Sequence, residues 1–232
     1  METIAQLFKI LWAPRQTLSE ISQRPRVVAP LLLLTLFAGL ETAIVFSTLD
    51  PGELRLQEFK RGGYSDQISE SDKVIHAQAA RQNRGFAATV SAVRSVLMVV
   101  VVAAVFFVCL GLGRGVSFKS FLAVTAFAFI PGILHSIATI ATVLTVEPTL
   151  DTLQRAGAIS PILLLNPDSM SRAAYLALGM VDAVSIWIVA LLVIGYGFVL
   201  RDRVGPALRV SAVVGLYCIW SAVYVAISVA LT

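Results

Sequence analysis

Charge is scarce in this sequence. Asp, Glu, Lys and Arg make up 14% of its 232 residues, against about 25% in ordinary soluble domains. The net charge of +4 belongs to segments between apolar runs, so it forms no basic face suited to nucleic acid. Cysteine is rarer still. Cys109 and Cys218 are the two present, each inside an apolar run, which excludes a disulfide framework and metal-ligand spacing. There are two histidines, and no HExxH, no paired metal spacing and no serine in a nucleophile-elbow context. The chain is therefore read as non-enzymatic and without cofactor. A cleaved leader is not expected either, because the first long apolar run starts only near Val27 and exceeds a signal-peptide core.

Hydrophobic residues, in contrast, reach 57%, where about 45–50% is usual. They fall in five runs, roughly 27–49, 90–112, 118–145, 175–200 and 207–231. At 1.5 Å rise per residue, about 20 residues cross a hydrocarbon core of about 30 Å. The expected fold class is all-α: a polytopic five-transmembrane-helix bundle, residues 1–232 forming one membrane domain. The third run is longer than a crossing needs and carries Pro131-Gly132 at its middle, which predicts a kink.

Residues 1–26 precede the first span. Ile4, Leu7, Phe8, Leu11 and Trp12 repeat at helical spacing, with Lys9 and Arg15 elsewhere on the wheel. Such an amphipathic helix either lies in the headgroup region or rests on the ends of the spans. The longer connections are 50–89 and 146–174. In the first, PGELRLQEFKRGGYSDQ reads as turn and loop, and SESDKVIHAQAARQNRGF as a polar helix capped near Ser69–Asp72. In the second, the apolar tetrad of SPILLLNPD is too short to cross and is expected at the interface. Met1–Arg26, GRGVSFK and RDRVGPALR together hold nine of the 18 basic residues and only three acids. The positive-inside bias therefore puts the N-terminus in the cytosol and the C-terminus outside.

Ionisable groups inside a span cost roughly 2.5–3.5 kcal/mol on insertion scales, so they face protein or water and find partners. Glu41, in LLLLTLFAGLETAIVF, His135 and Asp182 are three such groups. All three are expected in the outer half, about 10–15 Å below the boundary. Arg94, near the outer end of the second span, is the cation within reach of either acid. One reading joins Glu41, Arg94, His135 and Asp182 into a polar cluster lining an outward-facing cavity. The other has Asp182 capping a span, Arg94 snorkelling, His135 bonding a carbonyl freed by Pro131, and Glu41 bonded to a neighbouring helix. GLGRG at 111–115 ends an apolar run with no strand before it, so it reads as a tight turn and not a nucleotide fingerprint. Gly195 and Gly197, with Ser211, Gly215 and Cys218, offer small faces for close helix packing or a homodimer seam.

Three motifs carry a family resemblance. LFKILWAPRQTLSEISQRPRVVAPLLLL has a Pro-R-x-T-L preamble and a proline opening the first span. SFKSFLAVTAFAFIPGIL is an aromatic-rich span with a central proline. NPD through VDAVSIWIVALLVIGYG places an acid and then Ser-x-Trp at the head of the fourth span. In this order they resemble the bacterial branch of the Yip1-domain membrane proteins over nearly the whole chain. The resemblance implies a cytosolic N-terminus, a five-helix bundle and a role in the bacterial inner membrane without enzyme chemistry. Some bacterial relatives act beside ABC-type exporters. Eukaryotic relatives are linked to Rab GTPases and vesicle traffic, and this chain lacks their long cytosolic N-terminal region, so no GTPase partner is expected.

The leading expectation is a non-enzymatic inner-membrane protein whose partners are the lipid bilayer and a complex such as a transport system. A small carrier using the outer-half polar cluster is the alternative, although no internal repeat accompanies it. An intramembrane enzyme comes third.

Overall fold

The computed structural model describes residues 2–61, 67–146, 152–153, 160 and 172–230. Among these every regular element is helical, and five helices are long and apolar enough to cross a membrane. Two short helices come first, α1 (Glu2–Lys9) and α2 (Pro14–Gln23), followed by the first span α3 (Val28–Thr48). Then come α4 (Pro51–Arg61), α5 (Glu70–Gln82) and α6 (Arg84–Phe106), the last running on through a π-helical turn at Phe107–Gly111. The third span is α7 (Phe118–Ala128) and α8 (Gly132–Thr145). After it come α9 (Arg172–Gly179), the fourth span α10 (Ala183–Leu200) and the fifth, α11 (Pro206–Ala230).

The third span is the centre of the bundle. Of its most apolar window 61% is buried, against 6% for α11 at the periphery. α7 packs on α2, α6 and α10, while α8 packs on α3. At the expected kink the α-helix stops after Ala128 and resumes at Gly132. Proline supplies no N–H at 131, and the chain crosses the gap with tighter bonds, from Ile130 N–H to the Phe127 carbonyl and from Gly132 N–H to that of Phe129.

Burial is concentrated at the end of the bundle that carries α2. Phe106, Leu110, Phe121, Phe127, Tyr196 and Leu200 form its core, and Leu18 and Ile21 of α2 close it from below. Tyr196 and Phe121 approach to 4.8 Å between ring centroids, and the Tyr196 hydroxyl meets that of Thr125 at 2.8 Å, so both buried hydroxyls are satisfied. Gly195 lets α10 come close to both α7 and α2: a Cβ there would lie 2.4 Å from Val124 Cγ1 and 3.2 Å from Leu18 Cδ2. The expected small-residue face is thus used inside the chain at this position, whereas a Cβ on Gly215 would meet only open space. The GLGRG turn is tight, with φ of 74° at Gly113 and 64° at Gly115. Arg203 ties it to the next turn by donating to the Gly115 carbonyl at 3.0 Å.

Several boundaries differ from expectation. Residues 51–61 are a helix where turn and loop were expected. Pro-Gly normally signals a turn, but Pro51 occupies the first helical position, where no N–H is needed, and the Asp50 carboxylate accepts the Gly52 N–H at 2.9 Å. α4 then pairs with α5, held by Arg81 Nε on Asp50 Oδ1 at 2.9 Å and by Phe59 edge-on to His76. The Arg81 guanidinium beside it, helped by the Gly52 N–H, holds the Asp50 carboxyl below its ordinary range. α5 begins as expected, Ser69 Oγ accepting the Asp72 N–H. The helix breaks at Asn83 before α6 begins. The fourth span does not run unbroken from 175, because Tyr175 belongs to α9 and α10 begins only after Asp182. The apolar tetrad 162–165 lies outside the described residues.

Candidate functional site

Glu41, Ser136 and Asp182 lie toward the end of the bundle away from α2. Glu41 sits on α3, and its carboxylate accepts a hydrogen bond from Ser136 Oγ of α8 at 2.6 Å. That length is typical of a hydroxyl donating to a carboxylate. Both residues lie within about 14 Å of their helix ends at Thr48 and Thr145, at 1.5 Å per residue. On its other side α3 lies close to α6: a Cβ on Gly39 would be 3.6 Å from that of Ala92, and Ser91 Oγ donates to the Ala38 carbonyl at 3.3 Å.

The four expected cluster members do not bond one another. Asp182 is the N-cap of α10, its Oδ1 accepting the N–H groups of Val184 and Ser185 at 2.8 and 3.0 Å and its Oδ2 the Ser185 hydroxyl. A carboxylate satisfied by the first turn of its own helix is stabilised by the helix dipole as well. Arg94 is exposed on the side of α6 that also presents Val93, Leu97 and Val101, away from the bundle. An arginine there can reach the interface along its aliphatic stem. His135 is exposed, although Pro131 and Thr139, four residues before and after it, are buried. The inward face of α8 runs through Ile133, Ser136, Thr139 and Val143 instead, one position round the wheel.

Ser136 was not anticipated, and the signal was slight: Ser136 and Thr139 stand three apart, the spacing of a single face. Thr139 is 4% exposed and its Oγ1 has no hydrogen-bond partner. Among the described residues no group of three or more His, Cys, Asp or Glu is placed to hold a metal.

At the other end of the molecule the N-terminal stripe is divided. Leu7 and Ile10 are buried and Leu11 is half-buried, whereas Phe8 and Trp12 are exposed by 57% and 70%. α2 lies across α7 and α10, and α1 is folded back on it. Glu20 of α2 fixes that fold, accepting from Gln6 at 3.0 Å and from Lys9 at 3.3 Å. These two donors, Gln6 first, hold its carboxyl below the ordinary range.

Five apolar spans, four of them around a broken central one, with a helical hairpin against one end and polar groups used locally at the other, define a polytopic α-helical membrane protein. The Yip1 domain family matches residues 8–229, nearly the whole chain. The chain belongs to that family. Comparison with curated proteins and with solved structures returns no match.

Proposed function

We propose that this Yip1-type membrane protein is a non-enzymatic organiser of the bacterial inner membrane that assists a partner complex, a transport system of the ABC-exporter kind being the best candidate. The N-terminus is placed in the cytosol and the C-terminus outside, following the basic bias of the segments around α1, α2 and the two short turns. What carries the reading is the dry half of the bundle. Leu18, Phe106, Phe121, Phe127 and Tyr196 fill the space between α6, α7 and α10, and α2 lies beneath them. A core of buried side chains is a rigid support. Exposed Phe8 and Trp12 give the hairpin a face to present to lipid or to a partner. Capture of the full-length protein in mild detergent, followed by mass spectrometry of co-purified proteins, tests this. Recovery of a stoichiometric membrane complex supports it, and a protein that always isolates alone overturns it.

A small carrier is the second reading, favoured by the Glu41–Ser136 contact within the membrane and the unpartnered Thr139 hydroxyl one turn away. It requires Glu41→Gln to abolish activity in a folded protein. The organiser reading requires that variant to behave as wild type.

A further inference from the structure

Two arginines of the short turns are satisfied within the chain: Arg114 donates to the Leu110 carbonyl at 2.9 Å and Arg203 to that of Gly115 at 3.0 Å. Arg209, in the first turn of α11, is held differently. A Cβ on Gly197 of α10 would lie 3.1 Å from its Cζ, 3.2 Å from its Nη1 and 3.3 Å from its Nη2. Three nearly equal distances mean that the guanidinium lies flat across the glycine. All its N–H groups then point sideways, along its own plane. The Gly197 carbonyl takes the Arg201 N–H. Among the described residues Arg209 has no hydrogen-bond or ion-pair partner, and its Nε is buried as well.

A guanidinium does not shed its proton in a protein, and a charge half out of water needs a counter-ion. No described residue supplies one, and the surroundings indicate what does. Arg209 lies three residues past Pro206, and Gly197 three before Leu200, so the contact is about 4–5 Å inside the ends of both spans. Lipid phosphates meet the hydrocarbon at that level. α11 is the least buried of the five spans, and Leu208, Val210 and Val214, beside and beyond the arginine, are all exposed. Guanidinium groups grip phosphate oxygens in a fork, and a flat, pre-placed one loses little freedom in doing so. We infer that Arg209, laid across Gly197 between α10 and α11, binds the phosphate of an acidic phospholipid whose chains run along α11 past Val210 and Val214. Gly197 is the positioning residue, since any side chain there would push the guanidinium off its seat. The inference goes beyond the partner-assisting role and holds for an organiser and a carrier alike.

Native mass spectrometry of the full-length protein tests it, with phosphatidylglycerol and phosphatidylcholine titrated in separate arms and inorganic phosphate in a third. Phosphatidylglycerol is expected to be retained in preference to phosphatidylcholine. Arg209→Gln should weaken its retention roughly fivefold, the contribution of one basic residue near an anionic surface. Gly197→Val keeps every charge and should weaken retention comparably, which a merely attractive positive surface would not show. Arg15→Gln, an exposed position of α2 at the same end of the bundle, should leave retention unchanged. Equal retention of the two lipids by wild type, or an equal loss in the Arg15 and Arg209 variants, overturns the site. Wild-type retention by Gly197→Val overturns the role of the glycine seat. Displacement of the lipid by millimolar inorganic phosphate assigns Arg209 to a soluble anion and overturns the lipid assignment. If Arg209→Gln does not fold, Arg209→Lys decides: it keeps the charge without the fork, so weakened retention supports the site and wild-type retention overturns it. A failed lipid result leaves partner capture unaffected, and the reverse also holds.

Discussion

Removing the Ser136 hydroxyl separates a structural latch from a transport site. Ser136→Ala takes away the donor that meets Glu41 at 2.6 Å and leaves a carboxyl in the membrane without that partner. Interhelical hydrogen bonds in membrane proteins contribute about 0.6 kcal/mol on average and up to about 1.7. An orphaned acceptor costs about 1–3 kcal/mol, so Ser136→Ala is expected to cost about 1–2 kcal/mol. Glu41→Leu should be cheaper, because a lone serine in a helix can donate to the carbonyl one turn back. The double variant should then cost less than the sum of the singles, since neither partner is left alone. Unfolding in mixed micelles with increasing dodecyl sulfate, followed by tryptophan fluorescence, reads all four corners of the cycle. Additive energies, or an Ser136→Ala cost indistinguishable from zero, would refute the latch. Glu41→Gln retains an acceptor oxygen and should preserve both stability and partner capture.

Three other perturbations probe separate parts of the fold. Asp182→Ala should destabilise by about 0.5–2 kcal/mol through loss of the α10 cap, while Asp182→Asn stays close to wild type, as thermal unfolding would record. Gly195→Ala drives a methyl into Val124; overpacking of about 1–3 kcal/mol exceeds the roughly 1 kcal/mol gained in helix propensity. The variant should melt lower, and Val124→Ala should restore part of the loss. Asp50, with its folded pKa depressed by Arg81, stabilises the α4–α5 pair above the unfolded carboxyl value of about 3.9. That contribution disappears as pH falls through the folded value. Hydrogen exchange across 51–61, corrected for intrinsic rate, should rise between pH 6 and pH 3, and Arg81→Gln should reduce the pH dependence, the Gly52 N–H sustaining the rest.

The spans were legible because membrane insertion depends on length and apolarity, which are local properties. The Pro131 break was legible for the same reason, the missing N–H being a property of one residue. Side-chain partners were not. Residue counting gives a depth along each helix but leaves rotation about it undetermined. One step round the wheel of α8 exchanges His135 for Ser136, and the bend at Pro131 alters the phase between the two halves of that span. Asp182 was misplaced by a different effect. Tyr175 to Leu200 is apolar enough to read as one run, yet the chain breaks between α9 and α10, and the acid there becomes a cap. Helix α4 was hidden by a Pro-Gly pair that usually ends structure, and here begins it.

The docking of α2 also orders biogenesis. Leu18 and Ile21 belong to the second helix synthesised, but the surfaces that cover them come from α7 and from α10 near the end of the chain. Until the fourth span has been inserted, that apolar face has no complete seat. A chain stalled or truncated before Leu200 would therefore keep its first helices uncovered, open to a chaperone or a membrane protease. The hairpin made first is locked only when the fourth span arrives, and its burial records that α10 is in place.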